Sequence, residues 1–167
     1  MSERILKALM QLFAIVAKVN LNEDEIRADQ SSRLIVKLFL QQDLPSELID
    51  KYLKIFDEFI KERHSSTRKK DGTRKRTSVN SVKVLRICTQ INEELEQRQK
   101  VIVLIRILEF IFADPEHSEK ELEFAATVAD TFNIESKEYE EIFHFVESAS
   151  KKIFEQENQL IICSDKK

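Results

Sequence analysis

A chain of 167 residues, of which 42% are hydrophobic and 34% are charged, is long enough to bury one core without disulfides or a structural metal. Its single glycine, Gly72, excludes the glycine-rich loops that hold phosphates and dinucleotides, and its three histidines lack metalloprotease or zinc-finger spacing. We therefore predict a non-catalytic segment, so that any enzyme activity would lie beyond Lys167.

The first half of the sequence predicts three helices. Apolar residues at three- and four-residue spacings indicate a buried first helix within residues 1–20, where Gln11 breaks the run that a signal peptide would need. The capping pattern Asn22-x-x-Glu25 predicts a second helix that runs to about Gln42. A third helix follows Pro45, because proline suits a first helical turn. The apolar residues of the second helix are Ile26, Leu34, Ile35, Leu38 and Phe39.

Residues 61–78 predict a basic flexible loop between the two halves. Residues 61–77 contain no apolar side chain, and eight lysines or arginines against Glu62 and Asp71 give a charge of +6, which leaves −9 for the rest of a −3 chain. The loop is either a solvated linker or a binding site for an anionic membrane surface or nucleic acid, through Arg68, Lys69, Lys70, Arg74, Lys75 and Arg76. The missing aromatic side chain and the acidic remainder argue against nucleic acid.

The most apolar stretch, residues 101–113, predicts a helix that is buried on most of its circumference. Asn92, which two glutamates follow, is its predicted N-cap. A short helix around residues 82–88 precedes it. Pro115 ends the apolar helix, because the proline ring disfavours the helical region for Asp114.

Two more helices and a short apolar run complete the chain. Ser118-x-x-Glu121 has the spacing of a capping box and predicts a new helix directly after the boundary. A last helix is predicted from Ile134 to about Glu155. Leu160 to Cys163 favours β structure, and we interpret it either as a loose packing segment or as the first strand of a following domain.

Four carboxylates near the proline boundary form a candidate cation site: Asp114, Glu116, Glu119 and Glu121. Such oxygen ligands suit a hard cation, so Ca²⁺ or another divalent cation is the expected cofactor. They do not make an EF-hand loop, since Glu119 stands where that loop needs glycine and Ala125 where it needs a bidentate glutamate. The alternative is that the carboxylates cap and complement a helix N-terminus.

Similarity between the halves predicts an internal repeat. A shift of 90 residues aligns Leu34 with Phe124, and a shift of 96 aligns Ala17 with Ala113. Chance similarity between amphipathic helices is the alternative. We predict an all-α fold of about seven helices, in two pseudo-repeated three-helix units around two apolar central helices. We expect residues 1–60 to form the first repeat and residues 79–155 to form the second repeat, both in one domain. Residues 61–78 are the basic loop between them. Residues 156–167 are a tail or the start of a following domain.

The segment from Ala113 to Glu121 resembles the TerB-like family, which includes tellurite-resistance TerB and a domain of DjlA-type co-chaperones. It follows an apolar helix and precedes an amphipathic one, as the family pattern does. Pro115 replaces the glycine of that pattern, His117 replaces an apolar residue, and Lys18 replaces the aspartate of the first half. The residues that match the pattern are Ala113, Asp114, Ser118 and Glu121.

This resemblance implies an all-α, two-repeat domain of bacterial stress-response or membrane-associated systems, reported to bind divalent cations through acidic residues. The expected function is interaction or regulation, with a protein partner or following domains of the same chain, and without a transmembrane segment. The chain is then either a free-standing TerB-like protein or the N-terminal regulatory domain of an ABC-type ATPase. The expected location is cytoplasmic, peripheral to the inner membrane, and the unpaired spacing of Cys88 and Cys163 agrees with reduced thiols there.

Overall fold

The computed structural model describes the backbone over residues 1–20, 27–67 and 81–164, and the side chains over residues 1–19, 28–64 and 82–152. In these ranges the chain forms seven helices and one antiparallel pair of two-residue strands, which confirms the all-α class. The elements in chain order are α1 Glu3–Val16, β1 Val19–Asn20, β2 Arg27–Ala28, α2 Gln30–Gln41, α3 Ser46–Thr67, α4 Ser81–Asn92, α5 Gln97–Phe112, α6 Glu119–Thr131 and α7 Ser136–Ser164.

The core is built where α1 and α5 meet their neighbours. Helix α1 contacts α3, α4 and α5, whereas α5 contacts α2, α6 and α7 as well. Phe13 of α1 is fully buried, and its ring lies 5.2 Å from that of Phe39 on α2 and 5.6 Å from that of Phe110 on α5. These three rings bury apolar surface from three helices at one point, which fixes how the helices cross.

The second helix begins later than the sequence predicts. Arg27 and Ala28 are extended and pair with the residues that follow α1, so this part of the prediction was wrong. Helix α2 begins at Gln30, and its N-cap is Asp29, whose side chain accepts a hydrogen bond of 2.8 Å from the Ser32 N–H. The predicted capping residues Asn22 and Glu25 lie outside the described residues.

Two leucines that the sequence assigns to the apolar side of α2 face solvent. Leu34 is 55% exposed and Leu38 is 47% exposed. Helix α2 instead turns Val36, Phe39 and Leu40 inward, a set with the three- and four-residue spacing of one helical face. The predicted alignment of Leu34 with Phe124 therefore joins an exposed side chain to a buried one.

The predicted N-cap of α5 was also wrong. Asn92 ends α4, and its side-chain amide donates a 2.6 Å hydrogen bond to the carbonyl oxygen of Thr131. Helix α5 begins at Gln97 with Glu96 as its N-cap, whose N–H donates to the side-chain oxygen of Gln99 at 3.0 Å. A capping box thus replaces the predicted asparagine cap.

The two glutamates that follow Asn92 contact the first residues of the chain and do not cap α5. Glu94 accepts hydrogen bonds from the backbone N–H and the hydroxyl of Ser2, and Glu93 forms an ion pair with Arg4. Ser2 is the N-cap of α1, because its hydroxyl accepts from the Ile5 N–H at 3.4 Å. The corner between α4 and α5 therefore anchors the first turn of α1.

Two predicted boundaries fall inside longer helices. Helix α3 continues to Thr67, so residues 61–67 of the predicted loop are helical. Helix α7 continues to Ser164, so the run Leu160–Cys163 is helical, and of its two interpretations the one as a strand was wrong. Neither glycine nor proline occurs between Ser136 and Ser164, and β-branched residues alone do not stop a helix. The six predicted binding cations between Arg68 and Arg76 lie outside the described residues, and their role stays a prediction.

Candidate functional site

The turn between α5 and α6 carries the predicted cation ligands, and hydrogen bonds within the turn shape it. Ala113 is the C-cap of α5, and its N–H donates to the Glu109 carbonyl oxygen at 2.9 Å. The carboxylate of Asp114 then accepts from the Glu116 N–H at 2.9 Å, as in an Asx turn. The Asp114 carbonyl oxygen accepts from the His117 N–H at 3.3 Å. The sequence prediction that α5 ends at the proline boundary is confirmed.

Asp114 also meets a cation from the other end of the chain. The ammonium nitrogen of Lys18, two residues after α1, lies 3.1 Å from Asp114 Oδ2, and the two side chains are 35% and 31% exposed. Burial alone would raise the pKa of Asp114, but the Glu116 N–H and the Lys18 ammonium outweigh it and lower that pKa. The Glu116 N–H and the Lys18 ammonium therefore together favour the carboxylate form of Asp114.

Ser118 and Glu121 form the predicted capping box of α6. The Glu121 carboxylate accepts from the Ser118 N–H at 2.7 Å and from the Ser118 hydroxyl at 2.9 Å. Glu121 also faces Arg63 of α3: burial lowers the pKa of Arg63, and the charge of Glu121 opposes that shift. Arg63 in turn donates to the Ala14 carbonyl oxygen at 3.1 Å. The capping interpretation of Glu121 is confirmed, and its charge lies close to a partly buried cation.

Two of the four predicted metal ligands are thus already engaged. Asp114 pairs with Lys18 and Glu121 closes the capping box, while Glu116 and Glu119 are exposed. Within the part of the chain that the structure describes, no three His, Cys, Asp or Glu side chains come together as a metal site would need. Cation binding by this set stays a prediction.

A row of aromatic rings joins the turn to α7, and the sequence patterns did not identify it. The His117 ring lies 5.2 Å from that of Phe112, which lies 5.1 Å from that of Phe143 on α7. Phe143 also contacts the rings of Tyr139 and His144, at 6.1 Å and 5.6 Å. The edge-to-face contact between Phe112 and Phe143 packs α7 against the end of α5, next to the turn.

Helices α6 and α7 pack together and lie in a segment of net negative charge. Residues 113–152 hold eleven carboxylates and four lysines, a net charge of −7 in a chain of −3. We call the exposed carboxylates of α6, α7 and their connection the acidic surface: Glu119, Glu123, Asp130, Glu135, Glu138, Glu140 and Glu141. Near it, Phe145 of α7 is 70% exposed. Near the middle of α7, the Glu147 carboxylate is paired with the Lys151 ammonium at 2.9 Å and lies 3.8 Å from Nδ1 of His144.

Comparison of the chain with models of protein families, with curated proteins and with solved structures finds no match. The resemblance to the TerB-like family therefore stays a prediction from the residues around Asp114. None of the helices in the described ranges combines the length and apolar character that a membrane span requires.

Proposed function

We propose that the chain is a non-catalytic, TerB-like helical interaction module that presents its acidic surface to a protein partner or to following domains of the same chain. One contrast supports this proposal. Two of the four carboxylates at the turn are engaged internally, Asp114 by Lys18 and Glu121 by its capping box. In the described part of the chain, no lysine or arginine forms an ion pair with any member of the acidic surface. Charge that is concentrated and unpaired is suited to steering and selecting a partner of opposite charge.

The two-repeat arrangement is part of the same proposal. In it, α1, α2 and α3 correspond to α5, α6 and α7. Its support is that corresponding helices have corresponding caps. Ala17 and Ala113 are the C-caps of α1 and α5, and Asp29 and Ser118 are the N-caps of α2 and α6. The two N-caps are 89 positions apart, whereas the alignment that pairs Leu34 with Phe124 uses a shift of 90 positions. A shift of 89 positions aligns buried residues of α2 with buried residues of α6.

The divalent-cation response is centred on Asp114 in the turn. In the proposed module the Lys18 ammonium supplies Asp114 with the positive charge that a metal would otherwise supply. A cation at Asp114 must therefore displace Lys18 or share the carboxylate with it. This competition makes the wild-type turn a weak cation site that is strengthened by removal of Lys18.

Site-specific photo-crosslinking tests the proposed function. A photoreactive phenylalanine analogue replaces Glu123 or Glu141 on the acidic surface, and Lys54 or Glu58 on α3 as matched exposed controls. Each variant is produced in the cells that normally make this protein, and the cells are irradiated. We expect protein adducts of the same mass from positions 123 and 141 and none from positions 54 and 58. An adduct to residues of the same chain beyond Lys167 would identify a following domain as the partner. No adducts from the acidic surface, or equal adducts from α3, would reject the proposal.

A further inference from the structure

We propose that Phe145 is the apolar anchor by which a basic amphipathic helix docks on α7. This inference rests on the proposed interaction function and names the chemistry of the partner. Phe145 is 70% exposed, although the same helix turns Phe143 and Tyr139 towards the core. Helix α7 therefore has an aromatic side chain on its solvent side as well as aromatic side chains on its packed side.

The residues around Phe145 form a short apolar strip with helical spacing. Ile142, three positions earlier, is half-buried against the core, and Ala149, four positions later, is exposed. Residues three and four positions apart lie on one side of a helix, so these side chains continue one strip. A strip with this spacing is the complement of the apolar side of another helix.

Charge around the strip selects the sign of the partner. Glu138 and Glu141 lie seven and four positions before Phe145, and both are exposed members of the acidic surface. Glu147, by contrast, is neutralised by Lys151, and Lys152 is exposed beyond it. The negative charge thus borders the strip at the N-terminal end of α7. A partner helix with lysines or arginines next to its apolar residues complements both features.

The exposed leucines of α2 provide a natural comparison. Leu34 and Leu38 also lie one turn apart and face solvent. Of the two charged residues of α2, Arg33 is paired with Asp57 of α3, whereas Lys37, next to Leu38, is exposed. An apolar surface beside a lysine does not favour a basic helix, so Leu34 is a control of similar exposure but opposite surrounding charge.

The test uses two synthetic amphipathic peptides about 18 residues long, one of leucine and lysine and one of leucine and glutamate, a length at which isolated helices become stable. Titration calorimetry measures their binding to the whole chain and to its variants. We expect the leucine–lysine peptide to bind and the leucine–glutamate peptide not to bind. Phe145→Ala should weaken binding about tenfold or more, as loss of a central anchor does, and Leu34→Ala should leave it unchanged.

Replacement of both Glu138 and Glu141 by glutamine should also weaken binding and reduce its dependence on salt. Equal binding of both peptides, no binding of either, or equal affinity of wild type and Phe145→Ala would overturn the inference. Greater loss in Leu34→Ala would move the docking site to α2 and overturn it too. If adducts from positions 123 and 141 persist in the Phe145→Ala variant while the peptide result is negative, the proposed function stands and only this inference falls.

Discussion

Lys18 and Asp114 each follow a C-capping alanine, one after α1 and the other after α5, and their side chains meet at 3.1 Å. The ion pair links two helix ends that are 96 positions apart in sequence. Because the Lys18 ammonium neutralises the Asp114 carboxylate, we expect it to affect both the stability of the junction and the ability of the turn to bind a cation.

Asp114→Asn keeps the shape of the turn and removes the charge that faces Lys18. The pKa of Asp114 is lowered in the folded chain, so its stabilising effect is present above the unfolded pKa of about 3.9 and is lost as pH falls through the folded value. We expect a loss of up to about 1 kcal/mol at neutral pH, the range of partly exposed ion pairs. Urea unfolding at neutral and acid pH measures it, with Asp130→Asn, on the acidic surface, as control. A difference that grows on acidification would contradict the assignment.

Removal of Lys18 should strengthen cation binding by the turn. We expect Ca²⁺ to bind the wild-type chain with a dissociation constant of about 10⁻³ M, the weak end for protein sites, and to bind Lys18→Ala more tightly. The Asp114→Ala, Glu121→Ala double variant should not bind. Calorimetric titration of Ca²⁺, Mg²⁺ and Zn²⁺ into the three proteins is the measurement. No heat in any of them, or equal heat in all, would leave the ion pair of Asp114 and the capping box of Glu121 as the only roles of these carboxylates.

Ser118→Ala should destabilise the chain by about 1 kcal/mol, since it removes the hydroxyl of the capping box of α6. Ser148→Ala is the matched control, because Ser148 is exposed in the middle of α7 and alanine suits a helix interior. Chemical denaturation of both variants compares the two. Equal effects would mean that the hydroxyl of Ser118 adds nothing to the stability of α6.

Phe13→Ala should cost about 3 to 5 kcal/mol, because it empties a fully buried site where α1, α2 and α5 meet. Phe145→Ala makes the same chemical change at a side chain that is 70% exposed, and it should change stability by less than about 0.5 kcal/mol. Urea unfolding of both gives the comparison. A large loss in Phe145→Ala would show that Phe145 supports the fold and would weaken its role as an anchor.

Cys88 should resist alkylation in the native chain. It is a free thiol on α4, and burial raises its pKa to about 12, so little reactive thiolate forms near neutral pH. The Cys163→Ser variant removes the other thiol, which allows mass spectrometry to follow Cys88 alone. We expect no adduct with iodoacetamide in native buffer and full modification in urea. Rapid native modification would mean that α4 opens readily.

Local signals predicted the helices well where a few neighbouring residues decide the outcome. The capping box of Ser118 and Glu121 and the end of α5 before Pro115 are both in the structure. Local signals failed where two choices were locally acceptable. The side chain of Asn92 or of Glu96 could have capped the N-terminus of α5. In the structure, Asn92 is hydrogen-bonded to Thr131 of α6, and Glu96 is the N-cap of α5.

Some features of the candidate site could likewise be predicted from the sequence, and others could not. The acidic residues of the turn and the approximate negative charge of the second half could be read from the sequence, and so could the cap at Glu121. The exposure of Phe145 could not, because alternating aromatic residues on α7 fit either side of a helix until a neighbour covers one of them. Phe112 and the packed turn cover Phe143 and leave Phe145 in solvent.

The sequence by itself determined the all-α class and most of the helix boundaries, because apolar spacing, proline and capping side chains act over a few residues. Only the tertiary structure decided that Lys18 faces Asp114, that Leu34 faces solvent and that Glu94 holds Ser2. These relationships depend on which helices pack together, and packing is set by the whole core and not by any one segment.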